Sequence, residues 1–515
     1  MTIGYYLDLP PDLRGEAEDT IELLLDGMGV WGRPVSLPEK AALVYTAQCP
    51  ENLSNSAVWI RRSTHGATMT AGALGLAHAA LAKSARLETG PVRLEHDLLA
   101  LVRFVVLGHA ERRLPTNMFG IPQMAGDQTE ASMLRRPIVS EIIDALAVVL
   151  SARNQGFEDG IPRWPAGKRA ALLLTHDVDQ PHRRAPASFY RRRIARELAT
   201  ARPAAAARAL AGWAKARARW GSSLPTSEDP NFGFRYWMNQ ERSMGGRGCF
   251  YVAVRSCADA TGHPLDVPYV ADSPDMIRAL RDATEAGWEV GLHASIQCAT
   301  EPGRFAEEKA LLEALLGGAP VRGVRHHYWA LDPENPGATW KAQREAGFEY
   351  DSSLGTNDAP AFRRGMAWPF TPPEGGGLLQ IPPTMMDGGV FYSSPSPQEG
   401  LRSVRHHLQT VFAAGGAAVL DWHLEQSNGA RLSGAGPVLE TALDSVRGRD
   451  DIWITTPADV LDWWKERARR RDQLARASER ISLRRPMDRQ ASQSARPRSQ
   501  RPARLVSPAE NKSQS

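Results

Sequence analysis

Cysteine, long apolar runs and a leader segment are what this chain has little of. Its four cysteines, Cys49, Cys249, Cys257 and Cys298, lie far apart and form no Cys-x-x-Cys pair, which argues against a disulfide framework or a thiolate-held metal cluster. No run of about eighteen uncharged apolar residues occurs, so no membrane-spanning helix is expected. Between Met1 and Glu22 the chain carries acids and prolines where a secretion signal would carry a basic region followed by an apolar one, and a reducing cytoplasm is the expected setting. Interleaved aromatics and reading modules of nucleic-acid-binding proteins are also missing, which sets nucleic acid aside as a partner.

What is present is a chain of 515 residues, too long for one ordinary core, whose small net charge of +4 conceals an asymmetry. Residues 183–219 hold eleven Arg/Lys and one acid, and residues 465–515 hold fifteen against five. The remainder is therefore strongly acidic. Acidic globular domains with two basic appendages fit this pattern, and such appendages suit anionic surfaces, an anionic membrane face among them.

Residues 1–165 are expected to form a smaller α/β domain of unassigned role, with strands near 41–45 and 57–60 and helices near 98–110 and 139–150. The breaker-rich stretch 160–168 makes a linker. From 166 to 467 short apolar runs alternate with helical ones, the pattern of a (β/α) barrel whose active sites lie on the C-terminal rim. A basic helical insertion is expected at about 183–225, and 468–515 is read as a disordered basic tail. His406 and His407 fall in a helical pattern and are assigned to its exposed face.

Four apolar runs end in chemistry. Leu172-Leu173-Leu174-Thr175-His176 leads into Asp177-Val178-Asp179, and the two-residue repeat of a strand points both carboxylates the same way. Trp288-Glu289-Val290-Gly291-Leu292 ends at His293, Val321-Arg322-Gly323-Val324 at Arg325-His326-His327, and Ala417-Ala418-Val419-Leu420 runs through Asp421-Trp422 to His423. Four strands would thus deliver metal ligands and proton-transfer groups to one rim. His176 and His326 face away by the same alternation, and Cys298 has no evident general-base partner.

The ordered motifs Thr175-His176-Asp177-Val178-Asp179, Gly291-Leu292-His293-Ala294-Ser295, Arg325-His326-His327-Tyr328 and Asp421-Trp422-His423 resemble those of the polysaccharide deacetylase superfamily, carbohydrate esterase family 4. Stretches 347–354 and 380–384 resemble a bacterial branch with an extra N-terminal domain. The resemblance implies a distorted, NodB-like (β/α) barrel that removes an acyl group, N-acetyl first, from a sugar or glycan precursor. It implies Asp177 as base, Asp179 as metal ligand and His423 as acid. Gln297 stands where the family's second motif has another histidine, and glutamine is a poor ligand for zinc. His327, which ends the strand beside that of His293, is the candidate replacement.

One divalent ion, zinc first, would then be held by Asp179, His293 and His327 with a position open for the attacking water. Arg325 would orient Asp177, the backbone N–H of Tyr328 would join the metal in stabilising the oxyanion, and Asp421, on the same face as His423, would either orient that ring or serve an unrelated structural role. Tyr328, Trp329, Asp351 and Trp422 are candidates for the substrate side. Two rival readings share the sequence: hydrolysis of a small non-sugar amide, and a metal-free barrel that binds glycan without catalysis.

Overall fold

The architecture is that of a computed structural model, which describes residues 2–63, 70–84, 90–154, 160–183, 187–199, 201, 203–220, 228–255, 266–332, 334–392, 394, 396–428, 432 and 434–494. The N-terminal sheet contains β1 (Thr2–Leu7), β2 (Trp31–Pro34), β3 (Leu43–Thr46), β4 (Val58–Arg61) and β5 (Val92–Leu94), all parallel in the order β2-β1-β3-β4-β5. Strand β1 buries Ile3, Tyr5 and Leu7 alternately, whereas β3 is buried along its whole length, as befits a strand inside a parallel sheet. The order is that of a doubly wound sheet, with the helices Pro11–Met28 and Ala71–Ser84 crossing from β1 to β2 and from β4 to β5.

The second sheet contains β6 (Ala170–Val178), β7 (Cys249–Val252), β8 (Glu289–Ala294), β9 (Gly323–His326), β10 (Tyr350–Asp351), β11 (Leu379–Gln380), β12 (Met385–Met386), β13 (Ala417–Asp421) and β14 (Ile452–Ile454). They follow the order β11-β10-β9-β8-β7-β6-β13-β12, every pair parallel, with β14 paired to the base of β6. The expected distorted (β/α) barrel is therefore present as a curled sheet whose ladder does not close between β11 and β12. Only the four residues 381–384 separate those two strands, too few for the crossover that parallel pairing between them would need. All nine residues of β6 are buried, and its upper half pairs with β7 while its lower half pairs with β14.

The stretch 160–168 is a packed joint and not a free linker. Trp164 is buried and donates its indole N–H to Gly415 O, and the Arg163 guanidinium lies 3.5 Å over the Trp368 ring. The basic insertion contains the helices Ala187–Ala199 and Pro203–Trp220, which pack on each other; residues 184–186, 200, 202 and 221–227 lie outside the described residues. The last helix, Pro457–Ser494, runs well into the segment read as tail. Its beginning is tied to the N-terminal half by Arg467, which donates to Asp26 O and Pro162 O, and by Arg471, which pairs with Asp26 and Glu22. Residues 495–515 lie outside the described residues. Among the described residues no helix is long and apolar enough to cross a membrane.

One histidine assignment is corrected. His407 is buried in the helix Pro397–Ala413 and stacks on Phe362 at 5.1 Å, because it shares the apolar face of Val404, Leu408 and Val411; His406 alone is exposed.

The two halves are joined by a buried ion cluster. Glu111 accepts from Arg363 Nη2 at 2.9 Å and Nε at 3.1 Å and from the Arg364 backbone N–H at 2.8 Å. Burial disfavours the Glu111 charge, yet the two guanidinium groups outweigh it and hold the carboxyl below its usual range. Removing one partner of such a group leaves the other charges buried and uncompensated. Glu111→Ala should therefore destabilise the chain by about 3–5 kcal/mol, read as a shift in the urea midpoint, with Glu111→Gln falling between it and the wild type.

Candidate active site and metal centre

The site begins with the rigid end of β6. Register aligns Asp177 with Tyr251 of β7, His293 of β8 with Arg325 of β9, and Asp421 of β13 with Thr175, so the functional side chains emerge at one level of the rim.

Asp177 accepts a 2.8 Å hydrogen bond from Arg325 Nη1, and Asp421 lies 3.2 Å from the same nitrogen. Arg325 is fully buried, lies 4.1 Å over the Tyr251 ring, and gives its remaining donors to Ser352 O and Oγ. Burial works against both carboxylates, but they resolve differently. Arg325, His293 and His423 hold Asp177 below the usual carboxylate range, whereas burial and the neighbouring Asp177 charge push Asp421 well above it. Asp177 is the ionised member of the pair.

Asp179, His293 and His327 each present one ligand atom, and these atoms lie within 4.8 Å of one another. His293 Nε2 is 3.4 Å from Asp179 Oδ1, and His327 Nε2 is 3.5 Å from Asp179 Oδ2. The opposite edge of each ring is anchored. His293 donates Nδ1–H to Arg325 O at 3.1 Å, and His327 Nδ1 is 2.9 Å from Asp266 Oδ1, which also accepts from the Ile296 N–H at 3.1 Å. Anchoring Nδ1 turns the Nε2 edges toward Asp179, the orientation that metal-ligating histidines adopt. His293 Nε2 and Asp179 Oδ1 are buried with no hydrogen-bond partner. Buried polar atoms are rarely left so, and a divalent cation of zinc-like preference among these N and O donors satisfies both. The donor set fits the ion that the sequence implied. Without it, burial alone would raise the Asp179 pKa, but the three histidines overcome it and hold that carboxyl well below its usual range, while Asp179 and Asp266 overcome burial to raise His327 to about 9.

His423 follows β13. Its Nδ1 is 3.0 Å from Asp387 Oδ1, its backbone N–H donates to Asp387 Oδ2 at 2.8 Å, and its Nε2 lies 3.5 Å from Asp179 Oδ2. Burial would lower its pKa, but the neighbouring carboxylates, Asp387 first, raise it well above the usual value, which favours the protonated ring. Asp387, not Asp421, orients this ring, because β12 ends beside β13 and brings its following residue against His423. Sequence reasoning missed Asp387 although it obeys the same rule as the others, an acid immediately after a strand. Asp266 was also missed, and it lies in a loop with no periodic signal.

The substrate-side candidates divide. Tyr328 borders the ligands, its ring stacked on His327 at 3.9 Å. Trp329 and Trp422 are buried, with their indole N–H groups given to Asn357 Oδ1 and Ala435 O, and offer no open ring face. Asp351 is buried away from the rim, bonded to Trp340, Gln343 and Ser353. Gln297 sits in the 3-10 turn Ile296–Ala299. His176 is packed between Glu241 and Trp422 O, and His326 lies edge-on to Phe305 away from the ligands. Cys298 is buried, which pushes its thiol pKa up.

The sequence matches no protein-family model and no curated protein. Among solved structures it is similar to a chain described as a polysaccharide deacetylase from Mycobacterium smegmatis, with 20% identity, coverage of 59% of this chain and 93% of that one, and a TM-score of 0.39. It is similar to the Puue allantoinase, with 14% identity, 60% and 95% coverage and a TM-score of 0.36. It is likewise similar to a chain described as a polysaccharide deacetylase from Pseudomonas aeruginosa PAO1, with 15% identity, 60% and 96% coverage and a TM-score of 0.37. At such scores the fold rests on the strand order described above.

Metal content separates the ligands from their neighbours. Purified protein should bind one equivalent of zinc or cobalt, His293→Ala and His327→Ala should lose it, and Gln297→Ala should keep it. Asp266→Ala should weaken affinity by about 10–100-fold, measured by chelator competition.

Proposed function

We propose that this chain is a metal-dependent hydrolase of the polysaccharide deacetylase type, which removes an acyl group, N-acetyl first, from a sugar or glycan precursor. The observation that carries this reading is the convergence of Asp179, His293 and His327 beside Asp177, which is held by Arg325, and His423, which is held by Asp387. A base and an acid with opposite protonation states flanking one reaction centre are what acyl transfer to water needs.

Asp179, His293 and His327 would hold the ion, which supplies Lewis acidity at the acyl carbonyl and favours deprotonation of water. Asp177, ionised and held by Arg325, takes a proton from the attacking water. His423, protonated and held by Asp387, gives a proton to the departing amine. Arg325 stays charged throughout and holds Asp177 Oδ1 with its Nη1 at 2.8 Å. Asp421 is kept neutral at its side, so the buried charges do not accumulate.

The test is release of acetate from N-acetylated saccharides by the metal-loaded protein. Asp177→Asn, His423→Ala and Asp387→Asn should each lower kcat by about 10²–10⁴-fold with metal content unchanged. Turnover of small non-sugar amides in preference to every saccharide would replace the sugar reading with the rival hydrolase. Stoichiometric metal without turnover of either class would remove the hydrolase reading itself.

The same reading extends to where the substrate is met, at the inner face of the cytoplasmic membrane. The basic helical pair leaves the chain directly after β6, at the rim, and carries the exposed side chains of Leu198 and Leu210. Positive charge with exposed leucines suits an anionic lipid surface bearing glycan precursors. Liposomes rich in phosphatidylglycerol should sediment with the protein, and the double variant Leu198→Glu, Leu210→Glu should stay in solution; equal behaviour of the two proteins would remove the membrane contact.

A further inference from the structure

The loop that follows the helix Leu98–Val106 belongs to the N-terminal half, yet it ends against the metal-ligand cluster. Phe119 stacks on Tyr328 with ring centroids 4.0 Å apart and planes 7° from parallel, and the other stacking partner of Tyr328 is His327, at 3.9 Å and 19°. The loop is a built element. Asn117 Oδ1 accepts from the Phe119 and Ile121 N–H groups at 2.9 and 3.0 Å, and a bridge joins Thr116 to Pro122. Beyond it, Asp358 of the barrel accepts from the N–H groups of Met124 and Ala125 at 2.7 and 2.8 Å, fastening the segment to the rim.

Tyr328 needs such support. It and Trp329 are consecutive non-glycine residues in the left-handed region, with φ of 57° and 55°, a conformation that costs about 1 kcal/mol or more per residue unless contacts fix it. Trp329 is fixed by burial and by Asn357. Tyr328 is half-buried, and its ring is stacked on both Phe119 and His327. Along that backbone runs the connection to His327, whose Nε2 edge must face Asp179.

We infer that Phe119 is a positioning residue for the metal centre: by clamping Tyr328 against His327 it sets the ligand that stands in for the histidine absent at Gln297, so the N-terminal half completes the active site of the barrel. This rests on the reading of Asp179, His293 and His327 as ligands. The stack works through orientation and needs a flat ring at position 119, so an aliphatic side chain cannot replace it.

Cobalt(II) affinity, followed by its visible absorption in the full-length protein, tests the assignment. Phe119→Ala should bind cobalt about 10-fold or more weakly than wild type and change the absorption envelope, because outer contacts to a ligand histidine carry that order of effect. Phe119→Tyr should restore both within about twofold, and Met118→Ala, whose side chain is 89% exposed one residue away, should change neither. Asp358→Ala touches no ring and should weaken cobalt in the same direction; it decides the matter if Phe119→Ala does not fold. Wild-type affinity and spectrum in Phe119→Ala, alongside loss of metal in His327→Ala, would overturn the positioning role while leaving the ligand reading intact. A wild-type protein that takes up no cobalt would overturn the ligand reading first.

Discussion

The guanidinium of Arg325 is fully buried at the end of β9, where it meets Asp177, Asp421 and the face of Tyr251 and donates to Ser352 from two nitrogens. A charge taken out of water at that depth is tolerated only with close counter-charges and filled donors. The arrangement explains why the two carboxylates differ. One guanidinium neutralises one charge well, so Asp177 ionises and Asp421 does not. It also reaches the candidate ligand cluster, since the backbone carbonyl of the same residue fixes the His293 ring. One residue therefore orients Asp177 through its side chain and His293 through its main chain.

The fold supplies the rigidity that such a cluster requires. Strand β6 lies in the middle of the second sheet with every residue buried, and the other functional groups come from β8 and β9 beyond β7 on one side and from β13 on the other. Pairing of β12 with β13 places Asp387, the residue after β12, beside His423 at the rim. The N-terminal half is no detached module. Glu111 enters the barrel between Arg363 and Arg364, Ser140 Oγ accepts from the Ala367 N–H, and Phe119 stacks at the rim.

Much of the site was legible because it obeys a local rule, in which apolar runs mark buried strands and the polar residue that ends each run lies on the rim. That rule found Asp177, Asp179, His293, Arg325, His327 and His423, and alternation set His176 and His326 apart. It failed where orientation depends on a neighbour strand. Asp421 shares a strand face with His423, yet Asp387 is the partner, because the backbone after β13 turns and β12 supplies the contact. It failed also for His407, whose helical face is defined by Phe362 from a distant segment.

Sequence by itself determined which residues would carry chemistry and at which ends of which strands, because strand periodicity and burial are written in consecutive residues. Only the tertiary structure decided how those ends pair: that His327 shares Asp179 with His293, that Asp266 and Asp387 hold the two imidazoles, and that a loop from the N-terminal half stacks beside them. Those contacts join positions from about 34 to more than 200 residues apart, and their distances depend on strand order and register. No local pattern encodes that order.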